Sequence, residues 1–285
     1  MFDSIIKDGL TNLFREILGK FRRLCVYGLN KFSPIKYVNI GGGPWFAGFF
    51  WCNLEACVSP VNPCPFIISS DCVFPFPDNS VDTVYNSHNL EHLNQLVADR
   101  VLTEAHRILK PGGHLVLKLP DFDRVLESWK GGDDGYIAKW SFSPGERTWK
   151  NRKVSDSLDT RIAMIFCGFW NDAYGDQFLR KFPDNPSAYF GPPVVSAEIL
   201  NRLKTYDSPH LISQELRSYV VENELSYTFC HQNAWSRDEF RDLLVEKNFQ
   251  VISMNAKHVI KECVYVPGIR EMEDISMYIL SEKLE

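Results

Sequence analysis

The sequence predicts an α/β protein: a mostly parallel sheet carrying an aromatic-rich insertion or cap and an N-terminal helix. Three observations predict it. From Lys36 to Leu119, short β-branched or apolar runs alternate with glycine turns and one long amphipathic run. That span contains a complete strand-helix-strand unit, whose crossover makes neighbouring strands parallel. Regular periodicity then stops after Pro120 and resumes at Ser236.

In chain order, Ile6, Leu10, Leu13, Phe14, Ile17, Leu18, Phe21 and Leu24 recur at three- and four-residue steps, with Lys7, Arg15, Lys20, Arg22 and Arg23 opposite them. This predicts an amphipathic helix within residues 1–33, packed on the sheet or lidding a site, with a membrane-surface role as the weaker alternative. Strands are expected at Tyr37 to Ile40, Phe50 to Leu54, Phe66 to Ser69, Thr83 to Asn86 and His114 to Leu119. Leu93, Val97, Val101, Ala105 and Ile108 mark one face of a helix that ends at Lys110-Pro111-Gly112-Gly113, a stop and a tight turn. Ser236-Arg237-Asp238-Glu239 spells a capping box for a helix burying Phe240, Leu243 and Leu244 and ending near Asn248. Two further strands are expected at Phe249 to Met254 and Ser276 to Leu280. The resulting organisation is a core over 34–122, an insertion over 123–230 and completion of the core over 231–285.

Composition narrows the function. The 285 residues are 45% hydrophobic and 24% charged, with a formal charge of -5, which disfavours a broad phosphate-binding surface and hence nucleic acid. No apolar run approaches the roughly 20 residues that cross a bilayer, and no signal-peptide pattern opens the chain, so a cytoplasmic protein is expected. Cys52, Cys57, Cys64 and Cys72 lack paired C-x-x-C spacing. Reduced thiols, and no metal site, follow.

Gly41, Gly42 and Gly43 end the first strand. Glycine there lets backbone approach a ligand and adopt dihedrals that a Cβ forbids, at the carboxyl edge where open α/β sheets bind ligands. A dinucleotide fingerprint would need glycine where Phe46 stands, and no Gly-Lys-Ser/Thr follows to make a P-loop. Glu55, at the end of the second strand, suits the two hydroxyls of a ribose, and Asp71, after the third, an exocyclic amine of adenine.

The stretches "VNIGGGP", "NLE", "SDCVFPFPDNSVDTVYNSHNLEHL" and "EAHRILKPGGHLVLKLPDF" together resemble the successive motifs of class I S-adenosylmethionine-dependent methyltransferases, in a branch with a short link between the first two strands. The similarity covers roughly residues 36 to 122 and resumes at "HQNAWSRDEFRDLLVEKNFQVI". It implies a Rossmann-like sheet with a terminal antiparallel strand and S-adenosylmethionine as cofactor, with S-adenosylhomocysteine as product. It also implies that Gly41, Gly42 and Gly43 face the methionine and ribose, Glu55 the ribose, Asp71 with Cys72 the adenine edge, and Ser87 and His88 the methionine end. Two departures stand out: Asn39 occupies a position where an acid is frequent, and only Pro44 to Phe49 separate the glycines from the second strand.

Transfer from a sulfonium asks the protein to align a nucleophile, exclude water and remove the acceptor's proton. His88, His92 and His231 are the candidate bases; Glu91 reads equally as an acid complementing a helix dipole. Asp121, Trp170, Asp172 and Tyr174 are weaker candidates for acceptor contacts, the aromatics reading equally as a small cap core. The expected reaction methylates oxygen or nitrogen of a small molecule, a metabolite or sugar. The alternatives are a non-catalytic cofactor-binding sensor or assembly partner and another nucleotide-dependent α/β enzyme.

Overall fold

The computed structural model describes residues 35–41, 50–55, 66–67, 72–140, 147–149, 152–154, 157–167, 196–219 and 231–285. The residues of the expected N-terminal helix, Gly42, Gly43, Asp71, Trp170, Asp172 and Tyr174 lie outside the described residues.

A seven-stranded sheet organises the chain. Its strands are β1 (Tyr37–Ile40), β2 (Trp51–Glu55), β3 (Phe66–Ile67), β4 (Val81–Ser87), β5 (Leu109–Pro120), β8 (Phe249–Ser253) and β9 (Ser276–Lys283), in the order β3-β2-β1-β4-β5-β9-β8. β1 pairs in parallel with both β2 and β4, and β4 with β5, whereas β9 runs antiparallel between β5 and β8. Strand order therefore reverses between β1 and β4, which opens a crevice at their carboxyl ends. β6 (Arg147–Trp149) and β7 (Arg152–Val154) form a separate hairpin.

Period-two alternation on the strands fills both faces. One face buries Val38, Ile40, Leu54, Val84, Leu115 and Leu117 under α1 (Gln95–Ile108) and α7 (Arg237–Glu246). The other buries Tyr85, Val116, Tyr278 and Leu280 under α8 (Ala256–Glu262). A third core belongs to α2 (Phe122–Gly131), α3 (Asp134–Ala138), α4 (Leu158–Cys167), α5 (Ala197–Leu203) and α6 (Pro209–Arg217). Where the insertion is described it is thus largely helical; among the described residues no helix is long and apolar enough to cross a membrane.

Local chemistry explains the boundaries. The capping box forms as spelled: Ser236 Oγ accepts from Glu239 N–H at 3.1 Å, and Glu239 Oε2 from Ser236 N–H at 2.8 Å. Asn248, at φ 61, then turns the chain into β8. β2 is shifted by one residue from expectation, leaving Phe50 in an exposed turn. The turn expected at Lys110-Pro111-Gly112-Gly113 is absorbed into β5 as a bulge: partners run from Val81↔Leu109 to Thr83↔His114, so β5 carries excess residues there. Gly112 takes the left-handed dihedral this needs, with φ 74.

Lys118 is the unusual residue of the sheet, because it is buried on the face that holds Tyr85 and Val116. Its Nζ donates to Glu271 O at 2.6 Å and Gly268 O at 2.9 Å. Burial, opposed by the Glu271 charge, pushes its pKa down from 10.5 to about 8. The unfolded chain then holds the proton more tightly than the native one. Wild-type stability should rise with pH between about 8 and 10.5, relative to Lys118→Met, by up to about 3 kcal/mol, and stay flat against it below 8. Denaturant titrations of both proteins at pH 7, 8.5 and 10 check this; a pH-independent difference would refute the depressed value.

Candidate active site

The crevice is built from the ends of β1, β2 and β4. Gly41 leaves β1 in the left-handed region at φ 70, and its N–H donates to Leu54 O at 2.8 Å, which brings it beside Glu55 at the end of β2. A Cβ there would lie 2.3 Å from Asn89 Cγ. Asn89 is held in turn by Asn86, fully buried on β4, whose Nδ2 donates to Asn89 Oδ1 at 3.1 Å and to Ile40 O at 3.1 Å. Asn86 thus ties the β1 loop to the β4 loop. Asn39 is buried and donates to Asn53 Oδ1 at 3.3 Å, so amides bridge β1 and β2 at that point.

The segment after β3 is fastened from α1. Glu104 Oε2 accepts from Phe74 N–H at 2.7 Å, while Arg107 donates to Phe74 O, Phe76 O and Asp78 Oδ1 at 3.0, 2.8 and 2.7 Å. Cys72, buried, opens this segment at φ 56. Ser87 closes β4, and His88 follows it at φ 47. Left-handed residues outside glycine are uncommon and gather where a site over-determines the backbone.

Beyond Ser87 the ionisable groups converge. Glu91, in the 3-10 turn Leu90–His92, is 1% exposed. Its Oε1 lies 3.4 Å from His88 Nδ1 and 3.9 Å from His92 Nε2. The backbone of Glu91 recruits the third histidine: its carbonyl accepts from Gln232 N–H at 2.6 Å and Asn233 N–H at 3.1 Å. The His92 and His231 rings are 4.8 Å apart, centre to centre. His231 N–H also donates to Cys167 O at the end of α4, so the insertion is joined to the site through this residue. Ser276 Oγ donates to Met272 O at 2.6 Å and therefore accepts from His88 Nε2–H at 2.8 Å, which fixes the His88 ring.

Burial pushes the Glu91 carboxyl up, but the His88 contact and then the facing His92 ring outweigh it and hold the acid below its ordinary value. His231 is pushed down to about 3, chiefly by burial and then by His92. A neutral imidazole that resists protonation is a poor proton acceptor at neutral pH. His88 and His92, at 14% and 18% side-chain exposure, are better placed for that work.

The sequence-expected residues are therefore partly gathered. Gly41, Glu55, Ser87, His88, His92 and His231 come to one edge, with Cys72 opening the segment after β3. Asp121 is engaged elsewhere. It caps α2 through Arg124 N–H at 3.3 Å, and its Oδ2 receives Arg237 Nη2 at 2.5 Å, so a substrate would have to compete with that pair. Asn86 and Asn89 escaped the sequence reading. Their signal is weak: an asparagine inside a strand is poorly favoured, and only its burial reveals its purpose.

Residues 54–117 match the family model of a methyltransferase domain. Over that stretch, less than half of the chain, the sequence is similar to methyltransferase domains. A stretch of 61 residues is 41% identical to an uncharacterized methyltransferase of Schizosaccharomyces pombe, and covers 21% of this chain and 21% of that protein. The match therefore spans about a fifth of the length of that curated relative. Among solved structures, a methyltransferase from Mesorhizobium loti is 14% identical, with 87% of this chain and 91% of that chain covered at a TM-score of 0.37. The PH0226 protein from Pyrococcus horikoshii is 12% identical, with 92% and 89% covered at a TM-score of 0.39.

The crevice at the ends of β1, β2 and β4 offers a polar contact to an adenosyl ligand. Asn89 packs on the Gly41 backbone where a Cβ would sit, and the buried Asn86 Oδ1 beside it accepts no hydrogen bond, leaving an acceptor for a ligand's donor.

Proposed function

We propose that this chain transfers the methyl group of S-adenosylmethionine to an oxygen or nitrogen of a small molecule, a metabolite or a sugar. The observation that carries the reading is the gathering of His88, Glu91, His92 and His231 at the end of β4, next to the Gly41 turn. The cofactor supplies an electrophilic methyl carbon already activated by its sulfonium. Gly41, Gly42 and Gly43 admit its amino acid and ribose, Glu55 accepts from the ribose hydroxyls, Asp71 and Cys72 border the adenine, and Ser87 and His88 border the methionine end.

At the acceptor end, His88 and His92 are the imidazoles in reach of the departing proton. The Glu91 carboxylate stabilises the imidazolium that forms, because opposite charges attract strongly where water is excluded. Trp170, Asp172 and Tyr174 belong to the insertion, which joins the site at His231 and is the part of the chain suited to selecting the acceptor. Incubating the protein with cofactor labelled in the methyl group, once with a metabolite extract and once with protein and nucleic acid fractions, tests the reading. Label in small molecules is expected. Label confined to macromolecules would overturn the acceptor class, and binding without transfer to any fraction would favour a sensor.

A further inference from the structure

Glu91 lacks well-formed hydrogen bonds despite the imidazoles beside it. Neither carboxylate oxygen accepts a hydrogen bond, although the side chain is 1% exposed. A buried carboxylate loses its hydration, which only close charge or good hydrogen bonds offset, and the imidazole nitrogens at 3.4 and 3.9 Å are too distant to supply good hydrogen bonds. Something positive and compact between these groups would offset that loss.

One nitrogen each of His92 and His231 and one oxygen of Glu91 lie within 4.8 Å of one another. We propose that Glu91, His92 and His231 form a binding site for one divalent first-row transition ion. Two imidazoles and a carboxylate are the donor set that such ions favour, and three protein ligands leave positions open. Bonds of about 2.1 Å require the three atoms to draw together by about 1 Å, within reach of side-chain rotation. The main chain is already set for it, because the Gln232 and Asn233 N–H groups on Glu91 O lock the two ligand-bearing segments side by side. His88, turned by Ser276 and facing Glu91 Oε1, orients the carboxylate from outside the ligand set. His231 is remote in sequence from Glu91 and His92, a spacing that paired-cysteine motifs do not reveal.

The inference deepens the proposed function, on which it rests for its purpose: an ion here would bind and polarise the acceptor's oxygen or nitrogen beside the methyl donor, leaving His88 to take the proton. The test uses the full chain stripped with chelator, titrated with Mn(II) and Co(II) by calorimetry, with the Co(II) visible spectrum recorded. One saturable equivalent is expected, with a dissociation constant in the micromolar range or below. Glu91→Gln and His92→Gln, both near in size to what they replace, should each weaken binding at least tenfold, while His114→Gln, an exposed histidine on β5, should not. No saturable binding by the wild type, or unchanged binding by both ligand variants, overturns the proposal. The thermal shift given by S-adenosylhomocysteine is measured on the same samples. A normal shift without metal binding defeats the metal site alone; metal binding without a shift defeats the methyltransferase reading alone. If Glu91→Gln loses the native circular dichroism spectrum, His92→Gln decides.

Discussion

Gly41→Ala is expected to weaken S-adenosylhomocysteine binding at least tenfold and to lower the melting temperature by several degrees. Two effects add. A residue with a Cβ pays about 1 kcal/mol or more to hold φ near 70. The new methyl group would also meet Asn89 Cγ at 2.3 Å, far inside contact distance. Asn89 must then leave Asn86, and with it moves the loop that leads into the Leu90–His92 turn. The cofactor edge and the ionisable cluster are thus disturbed by one methyl group. The double variant Gly41→Ala/Asn89→Gly removes the collision, including the Asn89 Cβ at 2.7 Å, and keeps the dihedral strain, so it should recover part of the stability. Calorimetric titration and thermal denaturation of the three proteins check this. Wild-type affinity in Gly41→Ala would contradict close backbone approach at the β1 turn.

Trp129→Ala should give the largest loss of stability, about 3–5 kcal/mol. Trp129 is fully buried in the core of the α2–α6 helices, 6.5 Å from the Phe166 ring, centre to centre, and its Nε1 donates to Asp159 Oδ1 at 2.6 Å. Truncation opens a cavity and removes that donor. Total stabilities of about 5–15 kcal/mol leave little margin for such a loss. Trp129→Phe, which keeps most of the ring volume, should cost much less and report mainly the hydrogen bond. Chemical denaturation measures both; a change below about 1 kcal/mol for the alanine variant would show that these helices do not share one packed core.

Much of the architecture could be read locally. β1 falls on the expected residues because four of them carry a strand pattern up to a glycine. The Ser236 box is complete within four residues, so its hydrogen bonds need no tertiary information. What the sequence hid depends on remote contacts. Lys110-Pro111-Gly112-Gly113 reads as a turn, yet pairing with β4 on both sides makes it a bulge of β5. Lys118 lies unremarked within the strand expected over His114 to Leu119, and only the 268–271 segment folding over it supplies its acceptors. Glu91 reads as a helix-start acid. Its burial comes from His231 and the neighbouring amides, which lie in the C-terminal part of the chain. The insertion helices α2 to α6 were obscured because aromatic and turn-forming residues dominate the text around them.

The most direct test of the whole account is a calorimetric titration of S-adenosylhomocysteine into the purified chain, with NAD as the comparison. Saturable binding of one S-adenosylhomocysteine per chain is expected, weakened at least tenfold by Glu55→Ala, with no binding of NAD. No heat and no thermal shift with S-adenosylhomocysteine, or preferential binding of NAD, would contradict a cofactor crevice at the ends of β1, β2 and β4.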